Sequence, residues 1–438
     1  MKHRFITIAL CLLPLVCRAS FDAQNDSVPA ASQVADSTMA DLAPRGTWSV
    51  GLGGNIGYFM HSGPDIKTIL HAYTVSYYDL RLKWQAKPSL QANAYDRAMN
   101  YPRLQLGLMY ADMNHLEIYR PSTPYHSRIG HIWTLFGGIQ WDAWRHGRWS
   151  AGLDLQNGVG YCTNPYNIYD NDDQWIIGSR FTIFVNLGAY VRYQIARNWA
   201  VSAGVDFKHY SNGTLDRPNL GANSVGPSVA VEWSLSRLTP VPSPKGGDEP
   251  AGLRRPSLQG GVGDGSAPFY LDATVGMGMR ALIDGFQVYH TSRHPIYAFP
   301  TVMIAPMWRW HLLHATGFGL DYSYLDYVYR IREFDETLEA RGKTHTPRHD
   351  YSPHVLGLSL RHEIFYRQMS LNVGLGWNVF KRLGYTSEKE ESWLYQHVGL
   401  RYSFPFTRNR LYLGFQIKAH RFGKVDCVQL VSGWRIGK

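Results

Sequence analysis

The chain has 438 residues, of which 45% are apolar and only 18% charged, and it carries 28 Tyr, 14 Trp and 42 Gly. After the first twenty residues no apolar run approaches the roughly 18 residues that a membrane-spanning helix needs, which excludes a helical membrane protein. The formal net charge of +10 suits contact with an anionic lipid surface or general solubility, and no nucleic-acid-binding motif accompanies it.

The chain opens on Lys2, His3 and Arg4, an apolar run over 5–16 and the small-residue site Cys17-Arg18-Ala19, which reads as a secretory signal over 1–19. Val16 before Cys17 places lipidation second, because a lipoprotein signal wants a small residue there. Residues 20–46 are polar and small and read as a flexible leader. Loss of the signal leaves Cys162 and Cys427, far apart, with no disulfide framework and no metal-ligand spacing.

Segments of alternating apolar and polar residues follow, at 48–60, 73–84, 103–112, 131–144, 149–161, 180–194, 198–210 and 223–236. Trp48, Val50, Leu52 and Ile56 alternate with Ser49, Gly51, Gly53 and Asn55 in the first of them. Residues 238–266 are rich in Pro and Gly without periodicity and read as a linker. The alternation resumes at 269–281, 297–309, 315–327, 354–366, 370–380, 394–405, 410–420 and 426–437. GVDFKH in the first half and GFQIKAH in the second share a rhythm, which points to a duplicated eight-strand unit.

The expected fold is therefore all-β: a transmembrane antiparallel up-and-down β-barrel of about 16 strands in two repeated units, 47–237 and 267–438. Glycine-rich inward positions and the linker favour two small barrels over one large one. Even strand counts put both ends of each unit on the periplasmic side, so the link between the seventh and eighth strands is an outer loop. The segment at 85–102 departs from this pattern, since periplasmic turns are short.

Strand parity assigns faces. Trp199, Val201, Ala203, Val205 and Phe207 form an apolar, lipid-facing row that His209 and Ser211 continue. In the eighth strand Val225, Val229, Val231, Trp233 and Leu235 form the corresponding row, and Asn223 falls on it. A serine hydroxyl becomes a useful nucleophile when an imidazole takes its proton and a third group holds that ring. Ser211, His209 and Asn223 fit those three roles, with Asn223 accepting through its side-chain oxygen but supplying no negative charge. Glu232 is excluded as the third member, since it lies on the inward row about 30 Å from position 223 at roughly 3.3 Å per residue.

His209-x-Ser211-Asn212 at the end of the seventh strand resembles the outer-membrane lipid A 3-O-deacylase family, also called acyloxyacyl hydrolases. Asn100-Tyr101-Pro102-Arg103, Thr163-Asn164-Pro165-Tyr166-Asn167 with Ile177-Gly178-Ser179, and Pro218-Asn219 through Gly221 to Asn223 are similar to a longer, two-part branch of it. The resemblance covers roughly 48–236, and APMWRW, LYQHVGLRYSF and IKAH in the second half look like that branch's extension. It implies an outer-membrane serine esterase that hydrolyses an ester-linked acyl chain of lipid A, the membrane anchor of lipopolysaccharide, without cofactor or metal. It implies His209 as general base, Ser211 as nucleophile and Asn212 as an oxyanion candidate. The acidic member expected at 223 is here Asn223. The alternative is a non-enzymatic barrel, a pore or structural protein, derived from the same family.

Lys208, Arg217, Arg120 and Arg128 lie in or near outer loops and are candidates for contact with lipid phosphates. Asp170, Asp172 and Asp173 read as a solvated acidic loop rather than a cation site. In the second half His420 matches His209 by position, but Phe422 replaces the serine and parity turns His420 inward, so no second active site is expected.

Overall fold

Period-two alternation of apolar and polar residues produces sixteen strands among the described residues of the computed structural model. Those residues are 46–60, 69–88, 93–119, 126–235, 268–282, 295–342, 350–384, 391–420 and 424–437. The expected signal at 1–19, the linker at 238–266 and all but the last residue of the leader at 20–46 lie outside them. The first eight strands are β1 (Gly46–Met60), β2 (Thr74–Ala86), β3 (Arg103–Asp112), β4 (His131–His146), β5 (Trp149–Cys162), β6 (Phe181–Gln194), β7 (Trp199–Ser211) and β8 (Ala222–Ser234). The second eight are β9 (Phe269–Ala281), β10 (Ile296–His311), β11 (His314–Tyr324), β12 (His354–Tyr366), β13 (Met369–Phe380), β14 (Leu394–Ser403), β15 (Leu411–His420) and β16 (Lys424–Ile436).

Each set closes on itself. β1 pairs with β2 and, from Ser49 opposite Ser234 to Met60 opposite Asn223, with β8. β9 pairs with β10 and, from Val428 opposite Met279 to Ile436 opposite Leu271, with β16. The protein is thus two small antiparallel barrels and not one sixteen-strand barrel.

The outward rows are apolar and bare: Leu52, Leu108, Val229, Phe318 and Leu358 are each more than half exposed. Contiguous rows of this kind are unfavourable in water and match the lipid-facing band of an outer-membrane barrel. The interiors are correspondingly polar. In the first barrel Lys83 Nζ lies 3.0 Å from Glu232 and 3.1 Å from Gln140 Oε1, and Arg81 Nη1 lies 2.9 Å from Asp154. Asp142 takes 2.9 and 2.7 Å bonds from Arg103 and a 2.6 Å bond from Arg145, and Tyr190 donates to it as well. In the second barrel Arg401 pairs with Asp272 at 2.8 Å and Arg435 with Glu363 at 2.6 Å.

Toward the outer end each interior turns apolar. Phe59, Ile132, Phe136, Phe184 and Tyr210 pack with Leu70, Leu116, Ile118, Ile129 and Ile176 from the outer loops, which plugs the first barrel. In the second, helix α2 (Val328–Ala340) places Val328 and Ile331 against Phe299, Val355 and Cys427. Cys162 and Cys427 are both free thiols, as their separation in sequence suggested.

The two barrels touch at both ends. The overlong segment between β2 and β3 contains a five-residue helix, α1 (Ala94–Ala98). From it Asp96 pairs with Arg367 and accepts from Tyr366 at 2.7 Å, and Tyr95 accepts from Arg309 at 2.8 Å. The departure from short periplasmic turns is therefore a bracket onto the second barrel. At the outer end Thr214 bonds to β9 and β16.

Asp142→Ala leaves Arg103 and Arg145 buried without their counter-ion, and the expected loss is about 3–5 kcal/mol of stability. Urea titration followed by tryptophan fluorescence checks this; a midpoint equal to the wild type's would contradict it.

Candidate active site

β7 carries His209 and Ser211 two residues apart, so both side chains leave the sheet on one side. β8 places Asn223 directly opposite His209 in the antiparallel register, where facing side chains meet. The consequence is a continuous chain of hydrogen bonds. His209 Nδ1 lies 2.7 Å from Asn223 Oδ1 and His209 Nε2 lies 2.9 Å from Ser211 Oγ. With the amide oxygen accepting from Nδ1–H, Nε2 is left as the acceptor for the serine hydroxyl, which is the tautomer a general base needs.

The row is outward, as parity predicts: Asp206, Lys208 and Tyr210 between these positions are buried inside. His209 and Asn223 are half-buried, and Ser211 is only 5% exposed. Farther along the same rows Val205 and Val225 are open to lipid. The three polar groups thus stand at the outer edge of the apolar band, where headgroups and acyl chains meet.

Loops roof the site. Leu220 and Gly221 donate backbone hydrogen bonds to Trp175 O at 3.1 Å and Ile176 O at 2.9 Å, joining the loop after β7 to the loop after β5. A side chain at Gly221 would meet His209 Cε1 at 2.9 Å, so the bare backbone there gives the imidazole its place. Asn212 is held on every side: its N–H donates to Asn219 Oδ1 at 3.1 Å, its Nδ2 to Asp216 O at 3.1 Å, and its Oδ1 accepts from Thr214 N–H at 3.1 Å. These bonds assign Asn212 to shaping the turn and do not favour the expected oxyanion role. Asn219 orders the turn directly after Ser211; the sequence marks it as part of the Pro218–Asn223 stretch but gives it no role, because its partner is a backbone N–H that only the folded turn brings to it.

The predicted phosphate contacts separate. Lys208 points into the barrel, with Nζ 2.7 Å from Asp206 and 5.0 Å from the Tyr77 ring, so it belongs to the internal ion pairs and is corrected as a headgroup ligand. Parity decides this, since an even position on β7 faces inward. Arg128 is exposed and Arg217 half-buried in the outer loops, while Arg120 lies outside the described residues.

Glu232 is buried with Lys83 and Arg192, away from His209. Asp173 is buried, Asp172 half-buried and Asp170 exposed. His420 faces inward beside Asp426, 3.5 Å away, and Glu391 completes a potential ligand group. Arg280 already pairs with both of those carboxylates, and Lys381 Nζ lies 3.6 Å from Glu391, so the group is balanced as a charge network.

Closed eight-stranded barrels with an apolar outer band and a polar, plugged interior define an outer-membrane barrel protein. Residues 77–232 match the model of the lipid A 3-O-deacylase (PagL) family, and residues 269–438 match the model of the acyloxyacyl hydrolase C-terminal domain. The chain belongs to this family, in its two-part form, and its place is the outer membrane of a Gram-negative bacterium. Among solved structures, the outer membrane enzyme PagL aligns with 42% of this chain and 98% of its own, at 17% identity and a TM-score of 0.26. Neisserial surface protein A aligns with 43% of this chain and 96% of its own, at 11% identity and a TM-score of 0.25. No curated protein matches the chain significantly.

Lys208→Met is expected to cost about 3 kcal/mol in urea titration by leaving Asp206 unpaired. It should leave binding to lipid A-containing vesicles unchanged, and weakened vesicle binding by a normally stable variant would restore Lys208 to the surface.

Proposed function

We propose that the protein is a serine esterase that removes an ester-linked acyl chain from lipid A. The observation that supports this most is the Ser211–His209–Asn223 hydrogen-bond chain on a lipid-facing row at the outer end of the barrel. The ester bonds of lipid A lie between its sugar headgroup and its acyl chains, so a nucleophile at that depth meets them without lifting the lipid from the bilayer.

On this reading Ser211 Oγ attacks the ester carbonyl carbon as His209 Nε2 takes its proton. The tetrahedral intermediate collapses by breaking the C–O bond to the sugar, and His209 returns the proton to the departing alkoxide. Water activated by His209 then releases the fatty acid from Ser211. Asn223 holds Nδ1–H and therefore the ring's tautomer and direction. It offers the imidazolium a dipole where a carboxylate would offer a charge, so Ser211 is less strongly activated than in a triad with an acidic member.

Lipid A from cells producing the wild type is expected to lack one acyl chain by mass spectrometry, and Ser211→Ala is expected to restore it. Identical acylation in both would end the esterase reading. Asn223→Asp supplies the missing charge at the same reach and is expected to raise kcat about tenfold, as one added charge-assisted hydrogen bond to the imidazolium is worth about 1.5–3 kcal/mol at most. An unchanged or lower kcat would show that the amide is the better partner here.

The second reading is a structural barrel that kept the family shape without activity, and the amide at 223 is the observation in its favour. A conducting pore is less well supported, because ion pairs and the outer apolar clusters fill the described interiors.

A further inference from the structure

The turn that follows Ser211 holds a conformation that its own sequence disfavours. Gly213 and Thr214 lie at φ +62° and +72°. Glycine tolerates this, but a β-branched residue there is a strained exception that surrounding contacts must hold in place. The contacts that hold Thr214 come largely from the other barrel. Ala281 N–H, at the end of β9, donates to Thr214 O at 2.7 Å. Thr214 Oγ1 donates to Asp426 O, near the start of β16, at 3.1 Å.

Val428 completes the seat. It lies on the outward row of β16, where its neighbour Leu430 is half exposed, yet Val428 itself is only 1% exposed. A Cβ placed on Gly213 would lie 2.3 Å from Val428 Cγ2 and 3.1 Å from Ile183 Cδ1, and Ile183 stands opposite Ser211 in the β6–β7 register. The second barrel is therefore packed against the backbone that begins two residues after Ser211.

We infer that the second barrel is a positioning element for the first: through Thr214 and Val428 it clamps the 212–214 turn, and with it the backbone beside the Ser211 nucleophile. Thr214 is a positioning residue, since its contacts run to Asn212 and the second barrel and not to the reacting atoms. This rests on the esterase reading for its catalytic consequence, while the clamp itself is a property of the fold. It gives the second barrel, which shows no serine relay beside His420 among the described residues, a task in the chemistry of the first.

The test is Thr214→Val in the full-length protein. This keeps the shape and removes the hydroxyl bond to Asp426, and Thr214→Ser, which keeps the hydroxyl, is the rescue. Heat-modifiable gel mobility establishes that the variants are folded. Two quantities are read: amide hydrogen exchange over 212–221, and steady-state kinetics on lipid A in detergent micelles. Thr214→Val is expected to speed exchange in the loop and lower kcat about tenfold with KM within twofold, as small displacements of a nucleophile's surroundings do. Thr214→Ser is expected to stay within about twofold of the wild type, since the hydrogen bond survives.

Unchanged exchange in Thr214→Val overturns the clamp. Faster exchange with an unaltered kcat overturns its role in positioning. If the wild type releases no fatty acid from lipid A, the esterase reading and the catalytic part of the inference fall together. Exchange then still decides whether the second barrel holds the turn.

Discussion

A strand edge inside a bilayer leaves backbone N–H and C=O groups with no partner, at a cost of several kcal/mol for each. Both sheets meet this constraint by closing, β1 onto β8 and β9 onto β16. Closure dictates most of what else is seen. The outward face must be apolar along its whole height, so the inward face receives the charged residues, and these are buried enough to need partners. Glu232 between Lys83 and Arg192, or Asp142 between Arg103 and Arg145, is a consequence of where lipid lies. Such pairs are weak evidence of net stabilisation, but losing one partner strands a charge where water is scarce. Polar side chains on the outward rows are then the exceptions that call for an explanation, and His209 and Asn223 are two of them.

The two halves show how far two eight-strand sheets can differ while both close. Both have eight strands, an apolar outer plug and an ion-paired lumen. At the end of its seventh strand the first half turns a histidine toward lipid, and the second turns His420 into the lumen beside Asp426. A register shift between Lys418 and Ala419 disturbs the pairing of β15 with β16 just before that position. The extra residue of that shift is Asp426 on β16, while β15 keeps an unbroken register with β14 through His420, so the two-residue period alone turns His420 to the lumen and the shift brings Asp426 to it.

Parity made most of this legible in the sequence. The strand ends fall within a few residues of the alternating segments, and the outward placement of His209, Ser211 and Asn223 follows from counting alone. Counting also rules out Glu232, and applied to Lys208 it would have ruled out that residue as a headgroup ligand. What alternation could not supply is whatever depends on loops. The bonds that tie up Asn212, the part played by Asn219 and the docking of α1 against β12 involve backbone groups and turn dihedrals that leave no periodic trace. The long periplasmic segment was visible as an anomaly, but its meaning needed the partner surface. Thr214 at a left-handed φ is the clearest case, because its identity argues against the conformation that the contacts from β9 and β16 impose.

The amide at position 223 fits this same setting. An aspartate there would stand half-buried on a lipid-facing row, near the phosphates of any lipopolysaccharide headgroup. It would bear a desolvation cost when the histidine is neutral and a repulsion when the substrate arrives. Asparagine avoids both. It keeps the 2.7 Å bond that fixes the ring, and it forgoes only the attraction that grows when the imidazolium forms. The carboxylate's advantage is thus confined to the charged stage of the reaction, and its costs fall on the resting and substrate-bound states. On the proposed esterase reading the site works at the membrane surface on an anionic lipid, where that balance shifts toward the amide. On that reading the amide at 223 is compatible with a working relay, at the expense of its maximal rate.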